Sequence, residues 1–172
     1  MLQRAITCAD RLSGAALAVS MVLAVAMLGV MLIEVFARYV FGTPTIWSFE
    51  MTGMLNGCMF LFAAGPALRM GQHVVIDALL GYMPERLKHA IMALFLLALF
   101  LPAIGWIEAS VIARAWSAFM TGEVDAVSPW RHVLWPYYAA IALALLTFLV
   151  QIAAEAARHS LAALGPAQAH HA

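Results

Sequence analysis

The amino-acid sequence predicts an all-α integral membrane protein with four transmembrane helices, a short amphipathic interfacial helix between helices two and three, and both termini cytoplasmic. Three observations carry this reading. Of the 172 residues, 65% are hydrophobic and only 10% are charged, whereas soluble domains carry roughly 25% charged residues. Four uncharged runs, at 15–33, 51–68, 90–107 and 133–154, each reach the roughly 17–25 residues that a bilayer-crossing helix needs. The basic residues are also unevenly shared. With the N-terminus inside, Arg4, Arg11, Arg69, Arg86, Lys88 and Arg158 fall on the inner side, and Arg38, Arg114 and Arg131 on the outer. Cytoplasmic loops show that bias. Little chain remains between the runs, so residues 1–172 read as a single membrane domain.

Helix one is expected at about 14–38. Arg4 and Arg11 precede it and Ala24-Val25-Ala26 resembles a signal-cleavage site, but apolar character continues to Ile33. That is too long for a signal core of about 7–15 residues, so the segment reads as a retained helix. Gly42 and Pro44 then turn the chain. Helix two is expected at about 48–69, with Ser48 placed to cap it and Glu50 in its first turn, where the helix dipole favours an anion. Residues 73–83, HVVIDALLGYM, are apolar with sparse polar points and too short to span. They are expected to lie in the inner interface, with Pro84 starting the next helix.

Helix three, at about 85–118, meets no strong stop, and Pro102 is expected to kink it. At about 1.5 Å per residue it outruns a hydrocarbon core of about 30 Å, so it must tilt or project outward. Residues 121–132 form an outer loop with Glu123, Asp125 and Pro129. Helix four follows at about 132–158 with Pro136 near its start, and the Ala-rich tail 160–172 is expected to be mobile.

Polar groups inside a bilayer are costly and therefore informative. Glu34 and Arg38 stand four apart on one helical face and can pair as a possible intramembrane ion pair, either with each other or across to another subunit. Glu108 reads as an outer-edge, solvated residue. Arg69, His73 and Asp77 gather at the inner end of helix two; snorkelling explains Arg69, and a structural corner explains the three together. Gly53 and Gly57, with Asn56 between them, form a small-xxx-small pattern that permits close helix approach. Trp47, Trp106, Trp116, Trp130 and Trp135 all fall on the outer side with Tyr39, Tyr137 and Tyr138, as either an interfacial belt or a docking surface.

Several chemistries have no support. Net charge is zero, so no basic face suggests nucleic acid. Cys8 and Cys58 form no pair motif and read as small apolar residues. No histidine falls in the four apolar runs, which argues against axial haem ligands, and His170-His171 is too small a cluster for a metal site. There is no phosphate loop. No enzyme, cofactor or metal site is therefore expected. The span centres are Ala, Val, Leu, Met and Phe, which leaves little to bind a hydrophilic solute, so an accessory role beside a larger transport protein fits better than transport alone.

Arg38-Tyr-Val-Phe-Gly42, the Trp47-x-x-Glu50 that follows, and Ala67-Leu-Arg-x-Gly-x-His-Val-x-Ile-Asp77 together resemble the small, DctQ-type membrane subunit of tripartite ATP-independent periplasmic (TRAP) transporters. The resemblance extends over nearly the whole chain. It implies a large membrane subunit and a periplasmic solute-binding protein as partners, in a bacterial inner membrane. It also implies sodium-driven uptake of a carboxylate or sugar acid, with the small subunit as scaffold and part of the dock. By the same resemblance, Arg38, Trp47, Glu50, Arg69, Gly71, His73 and Asp77 serve folding and subunit contact. The alternative is a stand-alone four-helix, proton-coupled exporter of hydrophobic cations that uses Glu34. Arg38 one turn away favours the ionised carboxylate there and works against proton coupling.

Overall fold

A computed structural model describes residues 2–70 and 84–164 of the chain. Four helices in it are long and apolar enough to cross a membrane. We name them α1 (Leu2–Tyr39), α2 (Ser48–Arg69), α3 and α4 (Trp135–Leu164). Three stretches make up α3 without a break: Glu85–Phe95, a π-helical turn at Leu96–Phe100, and Leu101–Thr121. The expected interfacial helix at 73–83 and the tail from 165 lie outside the described residues.

Two helices are longer than the apolar runs suggested. α1 begins at Leu2 rather than near residue 14, and α4 continues to Leu164 rather than stopping near 158. Apolar runs mark the part of a helix that lipid covers. The helix itself continues where its polar residues find partners, and Asp10 and Arg158 find each other at 2.5 Å. α1 ends where Gly42 adopts a φ of 67°, a left-handed conformation open to glycine at little cost. Gly122 ends α3 in the same way, with φ 62° and Glu123 N donating to Ala118 O at 3.1 Å.

Pro102 brings a widened turn. It has no N–H to continue an α-helical ladder, and its ring crowds the carbonyl four residues back. The chain responds one turn earlier, where Leu101 N–H donates five residues back to Leu96 O, the mark of a π turn.

The fourth helix is the centre of the molecule. Ala144, Gln151, Ile152 and Ala156 of α4 are at most 1% exposed. α4 packs on α1, α2 and α3, while α1 and α3 share no packed face of their own. One core cluster joins Ala16, Cys58, Phe62 and Ala144, and a second joins Leu96, Phe148, Ile152 and Ala156. α1 meets α2 through a stripe of small buried residues, Ala9, Ser13, Ala16 and Ser20, which lets the backbones approach. Ser20 Oγ donates to Met59 O at 3.0 Å across that seam.

Aromatic and polar contacts set the registers. α3 and α4 run antiparallel, with Phe119 against Trp135 at 5.5 Å between ring centres and Phe100 against Phe148 at 6.5 Å. His89 Nδ1 and His159 Nδ1 lie 2.8 Å apart at the other end. The bundle thus has a tryptophan end, with Trp47, Trp116, Trp130 and Trp135, and an arginine end, with Arg69 and Arg158; Trp106, expected with the other tryptophans, stands about 15 Å further along α3 from Trp116.

Candidate functional site

At the tryptophan end, one carboxylate organises the α1–α2 connection. Glu34 Oε1 accepts from Arg38 Nη2 at 2.5 Å and Nε at 3.0 Å. Its Oε2 accepts from Thr45 N and Ser48 Oγ, each at 2.9 Å, and from Thr45 Oγ1. The ion pair therefore lies within this chain, one helical turn apart. Ser48 does not cap α2 as expected: Trp47 occupies the cap position with no side-chain bond. The Ser48 hydroxyl is drawn to the stronger acceptor, the Glu34 carboxylate.

Glu50 makes the second tie. Its Oε2 accepts from Ser128 Oγ and lies 3.3 Å from His132 Nδ1. The start of α2 is thereby joined to the α3–α4 loop. That loop is braced from within. Asp125 Oδ1 accepts from Val127 N at 2.9 Å and Ser128 N at 3.3 Å, an aspartate turn. Leu134 N donates to Glu123 O at 3.1 Å, and Asp125 N to His132 O at 3.0 Å. Arg114 reaches Glu123 at 2.7 Å and sits over the Tyr138 ring at 5.5 Å, where the ring face attracts a cation. The braced loop holds Val127 95% exposed at its tip.

At the arginine end, Asp10 is the hub. Arg158 Nη2 donates to Asp10 Oδ2 at 2.5 Å, and Arg69 Nε lies 3.4 Å from Asp10 Oδ1. Arg158 also donates to Glu155 Oε1 at 2.5 Å, and Gln151 Nε2 to the same oxygen at 3.0 Å. Three helices, α1, α2 and α4, meet there. Gly65 lies beside them: a Cβ on it would stand 3.7 to 3.9 Å from Gln151, Phe148 and Ser13, an ordinary van der Waals contact.

Residues 27–161 match the DctQ component of the tripartite ATP-independent periplasmic transporters. The chain belongs to the DctQ family. A curated relative, the sialic acid TRAP transporter permease protein SiaT of Haemophilus influenzae (strain 86-028NP), is 33% identical over 64 residues, 37% of this chain. The match spans only 10% of that relative's length. No solved structure matches the chain.

The DctQ match begins within α1 and ends within α4, so it takes in Glu34, Arg38, Glu50 and Arg69. It leaves out Asp10, the arginine-end hub. Of the residues singled out in this DctQ sequence, Glu34 and Arg38 are brought together, and Glu50 and Arg69 are each tied to another helix or loop. Trp47 is half-buried at the start of α2. Gly71, His73 and Asp77 lie outside the described residues. Among those described, no three metal-ligating side chains gather.

The glycine pair divides. Nothing lies within 4 Å of a Cβ on Gly53, whereas one on Gly57 would meet the Tyr137 hydroxyl at 2.9 Å. Gly57→Ala is expected to cost about 1 kcal/mol, the low end for a small overpacking, and Tyr137→Phe should recover most of it. Thermal melts of the two variants in detergent check this; equal melting of Gly57→Ala and the parent would show that Tyr137 simply moves aside.

Glu108 is the main correction. It is 5% exposed, not solvated at an outer edge. It lines a groove with Ala142, Leu143 and Leu146 of α4, level with Ala144, on which Cys58 and Phe62 of α2 pack. Those two residues stand at the middle of the 22-residue α2. The linear sequence gives no hint of this, because helix length alone does not say which part of a long helix packs against its neighbours. The small stripe of α1 was readable by its spacing, but alanines are so common in the chain that it does not stand out.

Proposed function

We propose that the chain is the small subunit of a sodium-driven TRAP transporter of a bacterial inner membrane. Both termini are cytoplasmic in this reading, and the tryptophan end faces the periplasm. A separate large membrane subunit carries the solute by an elevator motion. The present chain enlarges the stationary scaffold, and its braced 122–134 loop forms part of the dock for a periplasmic solute-binding protein. The solute class is a carboxylate or sugar acid, in keeping with a relative named for sialic acid.

One observation carries the scaffold role. The ion pairs concentrate at the two ends, where they fasten the helices of this chain to one another, and Glu108 stands apart from both groups. Both core clusters between those ends are apolar. No cation stands at mid-depth among the described residues to meet an anionic solute. A stand-alone exporter that works through Glu34 needs that carboxylate free to exchange protons, and it already accepts five hydrogen bonds.

Purification of the tagged chain from its native membrane in mild detergent, followed by mass spectrometry, tests the proposal. A large polytopic protein in stoichiometric amount is the expected result. A stable homo-oligomer with no second membrane protein would overturn it.

A further inference from the structure

Glu108 has no evident task within the chain. Its Oε2 is buried without a hydrogen-bond partner among the described residues. The nearest arginine along the helix, Arg114, is already paired with Glu123. The carboxyl faces a groove of about 530 Å³ between α3 and α4, walled by Ile112, Trp116, Phe119, Trp135, Leu143 and Leu146. All of these walls are apolar, and Ile112, Trp116, Phe119, Leu143 and Leu146 are each at least 49% exposed. The groove runs from Phe119 and Trp135 at the tryptophan end down to Glu108, about 16 Å along the helix at about 1.5 Å per residue.

An unsatisfied carboxyl at that depth is expensive in either protonation state. A carboxylate there has lost water's solvation, and a neutral carboxyl still holds a donor and acceptors that hydrocarbon cannot meet. Acyl chains filling the groove would leave it orphaned. Lipid headgroups lie at the membrane surface, half a membrane away. Within the hydrocarbon region, polar groups are presented by spanning helices, whose own backbone bonds are internally satisfied.

We propose that the α3–α4 groove seats a transmembrane helix of the large membrane subunit, and that this helix brings a hydrogen-bond donor to Glu108 near the middle of the membrane. The inference rests on the small-subunit reading above. The donor is a serine, threonine, asparagine, glutamine, lysine or arginine side chain, and apolar ridges on either side of it fit between Trp116 and Leu143. Glu108 then fixes the depth at which the two subunits lock, as a single polar pair sets register between helices.

The test uses the assembled transporter in its native membrane. A photoreactive amino acid replaces Leu143, which is 56% exposed in the groove, and, as a control, Val25, which is 69% exposed on α1. Separately, Glu108→Leu and Glu108→Gln are carried through co-purification. Expected are cross-links from position 143 to the large subunit and few from position 25. Glu108→Leu should lower recovery of the large subunit about tenfold, the worth of one hydrogen bond to a charged group. Glu108→Gln should fall between, and the melting of the isolated chain should not drop. A large subunit that co-purifies but is not labelled from position 143 overturns the inference while leaving the small-subunit reading intact. So does labelling there of only lipid or a second copy of this chain, unchanged recovery with Glu108→Leu, or a lower melting temperature of the isolated variant. Absence of any co-purifying large subunit overturns both.

Discussion

Replacing Glu34 with alanine is expected to lower the yield of folded, monodisperse chain severalfold and to loosen the 40–47 connection. One side chain meets five donor atoms drawn from Arg38, Thr45 and Ser48. Its loss leaves the Arg38 guanidinium without a counter-charge at the helix end. It also frees the Thr45 amide and two hydroxyls where Ser48 is only 4% exposed. Unmet donors of that kind cost more than the net worth of the bonds they made. Glu34→Gln keeps one carbonyl acceptor but turns an amide NH2 toward donors, so it should recover little. Thr45→Ala removes one donor and keeps the hub, so it should be mild. Tryptophan-fluorescence melting, with Trp47 close to the site, and limited proteolysis of the connection are the measurements. Parent-like melting of Glu34→Ala would mean that Gly42 and the α1–α2 packing alone hold the turn.

Arg158→Leu is the second variant with a large expected effect, about 2–3 kcal/mol of stability. Arg158 stands between Asp10 of α1 and Glu155 of its own helix. Removing it takes the shared cation from two carboxylates, Asp10 and Glu155, and among the described residues leaves Arg69, at 3.4 Å, beside Asp10. Breaking a buried pair by deleting one partner costs about 3–5 kcal/mol. The Arg158 side chain is 31% exposed, which places the effect at or below the bottom of that range. The double variant Arg158→Leu with Glu155→Gln removes one of the stranded charges. It should be more stable than the single one, because the amide oxygen introduced there can still accept from Gln151. Equilibrium unfolding of the three proteins in detergent checks both the size and the order. A double variant no better than the single one would show that Asp10, not Glu155, is the group in need.

The four spans were legible because about twenty lipid-facing residues need only be apolar, and composition alone displays that. The ties between spans were not. Asp10 lies 148 residues from Arg158 and Glu50 lies 78 from Ser128, and no local spacing joins such pairs. Glu34 and Arg38 were legible as a pair, since four residues make one turn. That Thr45 and Ser48 join them depends on how Gly42 redirects the chain. Ser48 was read as a cap because its residue type and position fit one, and the nearby carboxylate outcompeted the backbone. Gly53 and Gly57 fit a helix-contact pattern, but only Gly57 meets a neighbour. Glu108 was read as solvated because the sequence does not say which face of α3 packs against α4.

The widened turn at Leu96–Phe100 acts as a phase shift. Each residue of an α-helix advances the chain by about 100° around the axis, and a π turn holds one residue more than a regular turn would. Everything beyond it is out of step, by about that angle, with what precedes it. Met92 and Leu96 face the core on one side of the turn, and Glu108 faces its groove on the other. Deleting Ala98 and replacing Pro102 with alanine would restore a plain helix and swing the carboxyl about a quarter turn around α3, with no groove residue altered. The aim of Glu108 is therefore written as a count of residues upstream, and in a chain with an unbroken helix the same groove would be met by the position next door.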